Sequence, residues 1–152
     1  MVEYWKSYAL CVFAFGFLLL TITSGCAPQE DIIKARECAS QVEAYYQRAV
    51  TGYKESIARD PANQVVRLEL GMLYYAHGEY TFAIEQLRKC SASQAKKFLA
   101  LSYYKSGDFT DALEVFSKEQ SSGDDEYLYY YGLACEKLNL FDKALEVYRA
   151  VK

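Results

Sequence analysis

The side chains that could carry out chemistry in this chain are one histidine, five cysteines and a few adjacent carboxylates. His77 directly precedes a turn glycine, where a partial positive charge suits the end of a helix, so we interpret it as a surface residue. A general base needs partners nearby, and the sequence implies none for this histidine. Asp124-Asp125 and Glu30-Asp31 offer too few oxygens in one loop for a calcium site. Because the chain also lacks a phosphate-binding loop, a zinc-type pair and a serine elbow, the sequence predicts no enzyme, catalytic residue, metal site or cofactor.

Three cysteines lie downstream of residue 30, at positions 38, 90 and 135. Cys90 and Cys135 fall at positions of a repeated pattern, described below, that normally pack inside the fold. We therefore predict that both behave as small buried hydrophobic side chains. One disulfide and one free thiol among the three cysteines is the alternative.

Tyrosine is the most informative residue type, with 15 copies, many of them adjacent. Doublets occur at Tyr74-Tyr75 and Tyr103-Tyr104, and a triplet occurs at Tyr129-Tyr130-Tyr131. Neighbours on a helix point about 100° apart, so one tyrosine of each doublet can enter the core while the other faces elsewhere. Tyr74 and Tyr103 fit the core, and Tyr75 and Tyr104 are expected to project toward a concave side.

An aromatic and apolar groove edged by charge is the kind of surface that binds an extended segment or a helix. The alternative is that the tyrosines only cover the packed helices, because tyrosine is often half-buried for its amphipathic character. The predicted partner-binding groove consists of Met72, Tyr75, Lys97, Leu101, Tyr104, Lys105, Tyr129, Leu133 and Glu136.

The elements that must position these side chains follow from a pattern that occurs three times. Small residues at Gly71, Ala100 and Gly132 each begin a copy, and the copies are 29 and 32 residues apart. A turn residue follows each at a fixed offset (Gly78, Gly107 and Asn139), then an aromatic residue, and then Ala83, Ala112 and Ala144. Spacing of this kind is typical of stacked repeats. Each copy predicts two antiparallel helices, with the turn residue ending the first and a polar residue (Glu79, Asp108 or Asp142) favouring the start of the second.

We predict helical pairs at 64–77 with 80–90, 93–106 with 110–120, and 125–138 with 142–152, and a loop at Ser121–Asp124. The segment 31–63 is predicted to be one long helix or a degenerate first repeat that caps the stack, because terminal repeats are commonly atypical. No segment alternates with period two for long enough to predict a strand. The net charge is −3 and no basic run occurs, so nucleic acid is not an expected partner.

This spacing of small and large residues resembles the tetratricopeptide repeat, a helix-turn-helix unit of about 34 residues. Asp60-Pro61 resembles the proline that closes such a unit, and the resemblance extends from about Ala49 to Lys152. It implies an all-α fold, a tetratricopeptide-type α-solenoid of about three helical hairpins (64–152) preceded by a long N-terminal helix. The tryptophan usual in the first helix of the repeat is replaced by Arg67, Lys96 and Leu128.

Residues 1–25 resemble a bacterial lipoprotein signal peptide, followed by a short lipid-anchored linker at 26–30. An apolar run from Tyr8 to Leu20 precedes Thr23-Ser24-Gly25-Cys26, which resembles the lipobox whose cysteine is lipidated. The run is shorter than the roughly 20 residues that a spanning helix needs, although a retained anchor and ordinary secretion remain alternatives. The resemblance implies acyl chains on Cys26 that hold the protein stably at a membrane. The expected location is the periplasmic side of the outer membrane, since Ala27 follows in place of an inner-membrane retention aspartate.

The sequence therefore predicts a lipid-anchored adaptor or scaffold of the bacterial envelope that binds a peptide or another envelope protein in its groove. It resembles the tetratricopeptide lipoproteins that assist outer-membrane barrel assembly, pilus secretin assembly or regulation of cell-wall hydrolases. The alternative is a structural subunit that self-assembles end to end, because repeat arrays normally end in a polar helix. Apolar residues predicted to be uncovered at this C-terminal edge are Leu145, Tyr148 and Val151.

Overall fold

The computed structural model describes residues 29–118 and 124–151, and every regular element in these two ranges is an α-helix. The predicted all-α fold is confirmed. The predicted signal peptide with Cys26 lies outside the described residues, as does most of the predicted loop at 121–124. The helices are α1 (Gln29–Arg59), α2 (Gln64–Ala76), α3 (Tyr80–Leu87), α4 (Ser93–Ser106), α5 (Phe109–Lys118), α6 (Asp125–Lys137) and α7 (Phe141–Tyr148).

The chain divides into two compact units, Met1–Thr51 and Gly52–Lys152, and the boundary lies inside α1. In the described part of the first unit, Tyr46 and Val50 are the buried residues. The second unit begins with the last part of α1, where Tyr53 donates a side-chain hydrogen bond to Glu69 of α2. It continues through three hairpins, α2–α3, α4–α5 and α6–α7, in which each first helix also contacts the first helix of the next hairpin.

The three hairpin turns have the same hydrogen-bond pattern, which follows from one residue with a left-handed backbone in each. Gly78, Gly107 and Asn139 have φ angles of 82°, 93° and 59°. Each donates its backbone N–H to the carbonyl three residues earlier, at 3.1, 3.2 and 2.9 Å, respectively. The following residue bonds back five residues, at 2.9 Å in all three turns. These bonds form a Schellman motif, which satisfies the last carbonyls of the first helix and reverses the chain.

Small residues at the helix crossings allow the two helices of a hairpin to approach closely. A Cβ atom added to Gly71 would lie 2.6 Å from Leu87 Cγ, and one added to Gly132 would lie 2.2 Å from Tyr148 Cε1. Ala100 is the corresponding residue of the middle hairpin and is fully buried. The crossing alanines of the second helices, predicted from their spacing, are likewise buried: Ala83, Ala112 and Ala144.

The second helices of the first and third hairpins end earlier than predicted, because their last residues form i→i−3 backbone hydrogen bonds. Cys90 and Val151 donate backbone bonds to carbonyls three residues earlier, so the α-helical spacing ends at Leu87 and Tyr148 and not at residues 90 and 152. Glu79 makes no side-chain cap bond to the start of α3, so of its two predicted roles only the favourable interaction with the helix dipole is left. Side-chain caps are found instead on first helices, where Asn63 and Asp124 accept backbone N–H groups at 3.1 Å.

Candidate functional site

A row of aromatic rings lies along the first helices of the three hairpins. Tyr75 of α2 meets Phe98 of α4 edge-on, with ring centroids 5.3 Å apart. Tyr104 of α4 meets Tyr130 of α6 in the same way at 5.2 Å. The row continues from Tyr130 to Tyr129 at 5.7 Å, and from Tyr129 to Tyr148 of α7 at 6.3 Å. We call these residues the aromatic face: Tyr75, Phe98, Tyr104, Tyr129, Tyr130 and Tyr148.

The row repeats because equivalent positions meet in successive hairpins. Tyr75 and Tyr104 occupy the same position, and each packs against a ring from the next first helix. Each also contacts a ring at the start of its own second helix, Tyr80 at 5.9 Å and Phe109 at 5.5 Å. Burial by these neighbours raises the pKa of both phenols. Tyr75 and Tyr104 are therefore half-buried side chains that the fold holds in place from two directions.

The third hairpin departs from this arrangement at the same position, where Glu136 replaces the tyrosine. The missing ring is supplied by Tyr148, whose side chain crosses directly over Gly132 and hydrogen-bonds to Glu136. Burial, followed by the negative charge of Glu136 and the bond to it, raises the pKa of Tyr148 to about 12. Glu136 thus lies near Tyr148 and Tyr104, since its charge acts on both phenols. Tyr129 lies seven residues before Glu136, about two turns earlier on the same side of α6.

Lys105 supplies the cation of the aromatic face. Its ammonium lies 4.9 Å from the centroid of the Tyr130 ring. A hydrogen bond with the Tyr130 hydroxyl outweighs partial desolvation and raises the pKa of Lys105. The face therefore carries a lysine near its middle and a carboxylate at its C-terminal end.

Lys97 belongs to a different arrangement, which joins two hairpins. Its ammonium donates to Asp124 at 2.7 Å and to Glu126 at 3.0 Å. Partial burial by itself would lower the pKa of Lys97, but these two carboxylates raise it above its ordinary value. The assignment of Lys97 to the groove stays a prediction, and its charge is already paired with both carboxylates.

Comparison with known proteins identifies the architecture. Residues 93–151 match the family model of anaphase-promoting complex, cyclosome, subunit 3. A crystal structure of MamA superposes with a TM-score of 0.68 at 22% identity, covering 75% of this chain and 71% of that chain. MamA MSR-1 gives 0.64 at 16% identity, covering 98% and 87%, and MamA AMB-1 gives 0.64 at 18%, covering 77% and 73%. The fold is a tetratricopeptide-type α-solenoid. No curated protein matches the chain in sequence.

The tetratricopeptide hairpins bring some of the predicted groove residues together and exclude one. Leu101 is 1% exposed and belongs to the core, so its assignment to a surface available for binding is wrong. Met72 and Leu133 are half-buried, Lys105 and Glu136 are exposed, and Tyr129 is 50% exposed within the row of rings.

Three residues of the aromatic face were not predicted as part of the groove. Phe98 and Tyr130 occupy the same position of successive tetratricopeptide units, two residues before Ala100 and Gly132. That recurrence is the signal that could have identified them. Tyr148 was assigned to the C-terminal edge, but its ring turns back over Gly132 and joins the aromatic face.

Of the three residues predicted to form the C-terminal edge, Leu145 is 52% exposed. Leu140 and Phe141, at the start of α7, are exposed as well, Phe141 by 63%. Tyr80 and Ile84 occupy the equivalent positions of the first tetratricopeptide unit and are only partly exposed. Phe141 lacks a ring on its own first helix because Glu136 replaces the tyrosine there. Val151 follows the end of α7 and is partly exposed.

The cysteines and the histidine that the sequence offered for chemistry lie in the surroundings described here. Cys90 and Cys135 are buried thiols, as predicted, and burial raises the pKa of both. Cys38 is exposed, and none of these three cysteines is in a disulfide. His77 caps the end of α2, with Nδ1 3.5 Å from a carboxylate oxygen of Glu79. The described ranges contain no group of three or more residues that could hold a metal ion.

Proposed function

We propose that this protein is an interaction adaptor that binds a segment of another protein on its aromatic face. The observation that supports this proposal is that ring contacts join each first helix to the next, Tyr75 to Phe98 and then Tyr104 to Tyr130, with Tyr129 and Tyr148 extending the second group. Aromatic side chains offer large contact areas at a low cost in side-chain entropy, which suits them to protein interfaces. A partner segment laid across α2, α4 and α6 would contact rings at regular intervals.

We further propose that the adaptor is lipid-anchored through Cys26 on the periplasmic side of a bacterial outer membrane. The lipobox-like Thr23-Ser24-Gly25-Cys26 supports this proposal. Within 29–118 and 124–151, no helix is both long enough and apolar enough to cross a membrane. Confinement at one surface would raise the effective concentration of adaptor and partner without any additional contact. Mass spectrometry of the mature protein tests this, because an unmodified Cys26 or an intact Met1 would contradict it.

The binding function is tested by affinity capture from membranes with the full chain, comparing wild type and Tyr104→Ala. Tyr104 contacts rings from two helices, so its removal should interrupt the face at its middle and reduce partner capture by at least about tenfold. Phe82→Ala is the matched control, because Phe82 is 53% exposed and its ring contacts Tyr74 outside the aromatic face. Equal loss in both variants, or in neither, would contradict the proposal. Thermal unfolding of each variant establishes that capture is compared between folded proteins.

Self-association is the second candidate function, and the exposed apolar cluster of Leu140, Phe141 and Leu145 supports it. Single exposed apolar residues are normal, but three within six residues of one hairpin resemble an interface that a second copy would cover. Leu145→Asp should then reduce oligomer size in sedimentation and leave partner capture unchanged. A wild-type protein that stays monomeric at all accessible concentrations would exclude this function. Tyr148→Asp is unsuitable for this test, because Tyr148 belongs to the aromatic face.

A further inference from the structure

One carboxylate lies among the rings at the C-terminal end of the aromatic face. Glu136 is exposed, accepts a hydrogen bond from Tyr148, and acts electrostatically on Tyr104. In the described residues, no lysine or arginine forms an ion pair with it. An ionised carboxylate has room for about four hydrogen bonds, so the bond from Tyr148 leaves most of its capacity unused.

Three other tyrosine rings in the described part of the second unit have a lysine ammonium over them. Lys105 lies over Tyr130 at 4.9 Å, Lys143 over Tyr131 at 5.4 Å, and Lys54 over the Tyr74 ring at 6.0 Å. The ring face of tyrosine is negative and attracts cations at such distances. Tyr129 is half-exposed and contacts Tyr130 and Tyr148, but no cation of the described ranges lies over it.

The arrangement is held in place from behind. Gly132 leaves the space that the Tyr148 ring occupies, since a Cβ atom there would lie 2.2 Å from Cε1. The hydroxyl of Tyr148 also bonds to the carboxylate of Glu136. The Tyr148 ring is packed against the backbone of α6, so a ligand loses little binding free energy to ordering that ring.

We propose that the partner segment carries an arginine, whose guanidinium stacks on Tyr129 and donates hydrogen bonds to Glu136. This inference rests on the proposed binding function and names the chemistry of the partner. Arginine fits better than lysine, because its planar group can stack on a ring and donate to a carboxylate at the same time. A partner that presents a terminal carboxylate fits this edge less well, because it would meet the like charge of Glu136. On the aromatic face such a partner would have to pair with Lys105, since Lys97 is already neutralised by Asp124 and Glu126.

The position of Lys105 predicts the direction in which peptide affinity changes when its charge is removed. Its ammonium lies over Tyr130, the ring next to Tyr129, and so repels a second cation on the same face. Lys105→Ala should therefore leave binding of an arginine-bearing segment unchanged or make it tighter. A segment held through its own carboxylates would bind Lys105→Ala more weakly.

In the experiment, peptides that bind the full chain are selected from a random display library, and the affinity of the enriched peptides is measured. The most enriched peptide is synthesised with its arginine and with citrulline, an uncharged analogue of similar shape. We expect arginine to be enriched, and the citrulline peptide to bind about tenfold more weakly. Glu136→Gln should weaken the arginine peptide by about the same factor and leave the citrulline peptide unaffected. Tyr129→Leu should weaken binding about fivefold, and Tyr129→Phe should retain it.

Glu85→Gln is the matched control for the loss of a carboxylate, because Glu85 is exposed on α3 and pairs with Lys89. If no peptide is selected, or if selected peptides bind Tyr104→Ala as well as wild type, both the binding function and this inference are wrong. If peptides bind through Tyr104 but citrulline or Glu136→Gln changes nothing, the inference fails and the binding function stands. Equal weakening by Glu85→Gln and Glu136→Gln would also overturn the inference, since it would indicate a general charge effect.

Discussion

Replacing Gly132 by alanine should destabilise the last hairpin, although alanine is the better helix former. The added Cβ atom would lie 2.2 Å from Cε1, 2.6 Å from Cζ and 2.7 Å from Cδ1 of Tyr148. These atoms belong to one rigid ring, so the ring has to move as a whole or the two helices have to separate. Overpacking of this kind costs about 1–3 kcal/mol, and helix propensity returns about 1 kcal/mol.

Displacing Tyr148 also removes its hydrogen bond to Glu136, which is worth about 1 kcal/mol for an exposed carboxylate. We therefore expect Gly132→Ala to lower the free energy of unfolding by about 1–3 kcal/mol, or Tm by about 3–10 °C. Urea and thermal unfolding followed by circular dichroism measure both quantities. A variant as stable as wild type, or more stable, would refute the close-approach argument.

Two further variants separate the steric effect from other effects of the substitution. Gly52 lies in helix α1 and has nothing within 4 Å of an added Cβ atom, so Gly52→Ala should stabilise the protein by about 0.5–1 kcal/mol. In a Tyr148→Ala background the obstructing ring is gone, and Gly132→Ala should become neutral or stabilising there. If the double-mutant cycle of Gly132→Ala and Tyr148→Ala shows no coupling energy, the Tyr148 ring is not the cause of the destabilisation.

Three other predictions follow from particular hydrogen bonds. Tyr127→Phe removes a buried hydroxyl that donates to the Phe116 carbonyl at 3.1 Å, and should lower the free energy of unfolding by about 1 kcal/mol in urea titrations. Asp124→Ala loses the cap of α6 and the bond from Lys97, at a cost of about 1–2 kcal/mol, whereas Asp124→Asn should recover part of it because an amide oxygen can still cap. Folding lowers the pKa of Asp124, mainly through its hydrogen bond with Lys97. The carboxylate therefore stabilises the fold at pH values above the ordinary carboxyl range, and this stabilisation is lost as pH falls through the lowered pKa. The difference in stability between wild type and Asp124→Ala should accordingly shrink in acid. Folding raises the pKa of Tyr148 from 10.0 to about 12, so the unfolded chain releases the phenol proton at a lower pH than the folded protein. The free energy of unfolding should therefore fall as pH rises between these two values. The fall should be less steep in Tyr148→Phe.

The sequence was sufficient to predict the hairpins because their turns and crossings depend on local residue types. Gly78, Gly107 and Asn139 adopt the left-handed backbone that their types permit. The crossing alanines are buried, and Tyr74 and Tyr103 enter the core as the angle between helical neighbours requires. These features need only the chain within one repeat, and the same pattern occurs three times.

The surface was predicted less well because it depends on how consecutive hairpins are offset. Tyr104 meets Tyr130, and Tyr75 meets Phe98, only because each first helix lies beside the next at a particular height. Periodicity within a helix does not contain this offset. The partners of Lys97 were missed for the same reason, since Asp124 and Glu126 belong to the following hairpin.

The ring contacts of the aromatic face join neighbouring hairpins only, and this makes the face modular. Tyr75 bridges the first hairpin to the second, and Tyr104 bridges the second to the third. A duplicate of the α4–α5 hairpin, inserted after the original, would bring its own copies of Phe98 and Tyr104, one ring for the preceding hairpin and one for the following hairpin. No change would be needed elsewhere, because repeat arrays are stabilised by interactions between nearest neighbours. The binding surface could thus grow or shrink by whole units through duplication or deletion, while Glu136 and Tyr148 would remain a distinct feature of the α6–α7 hairpin.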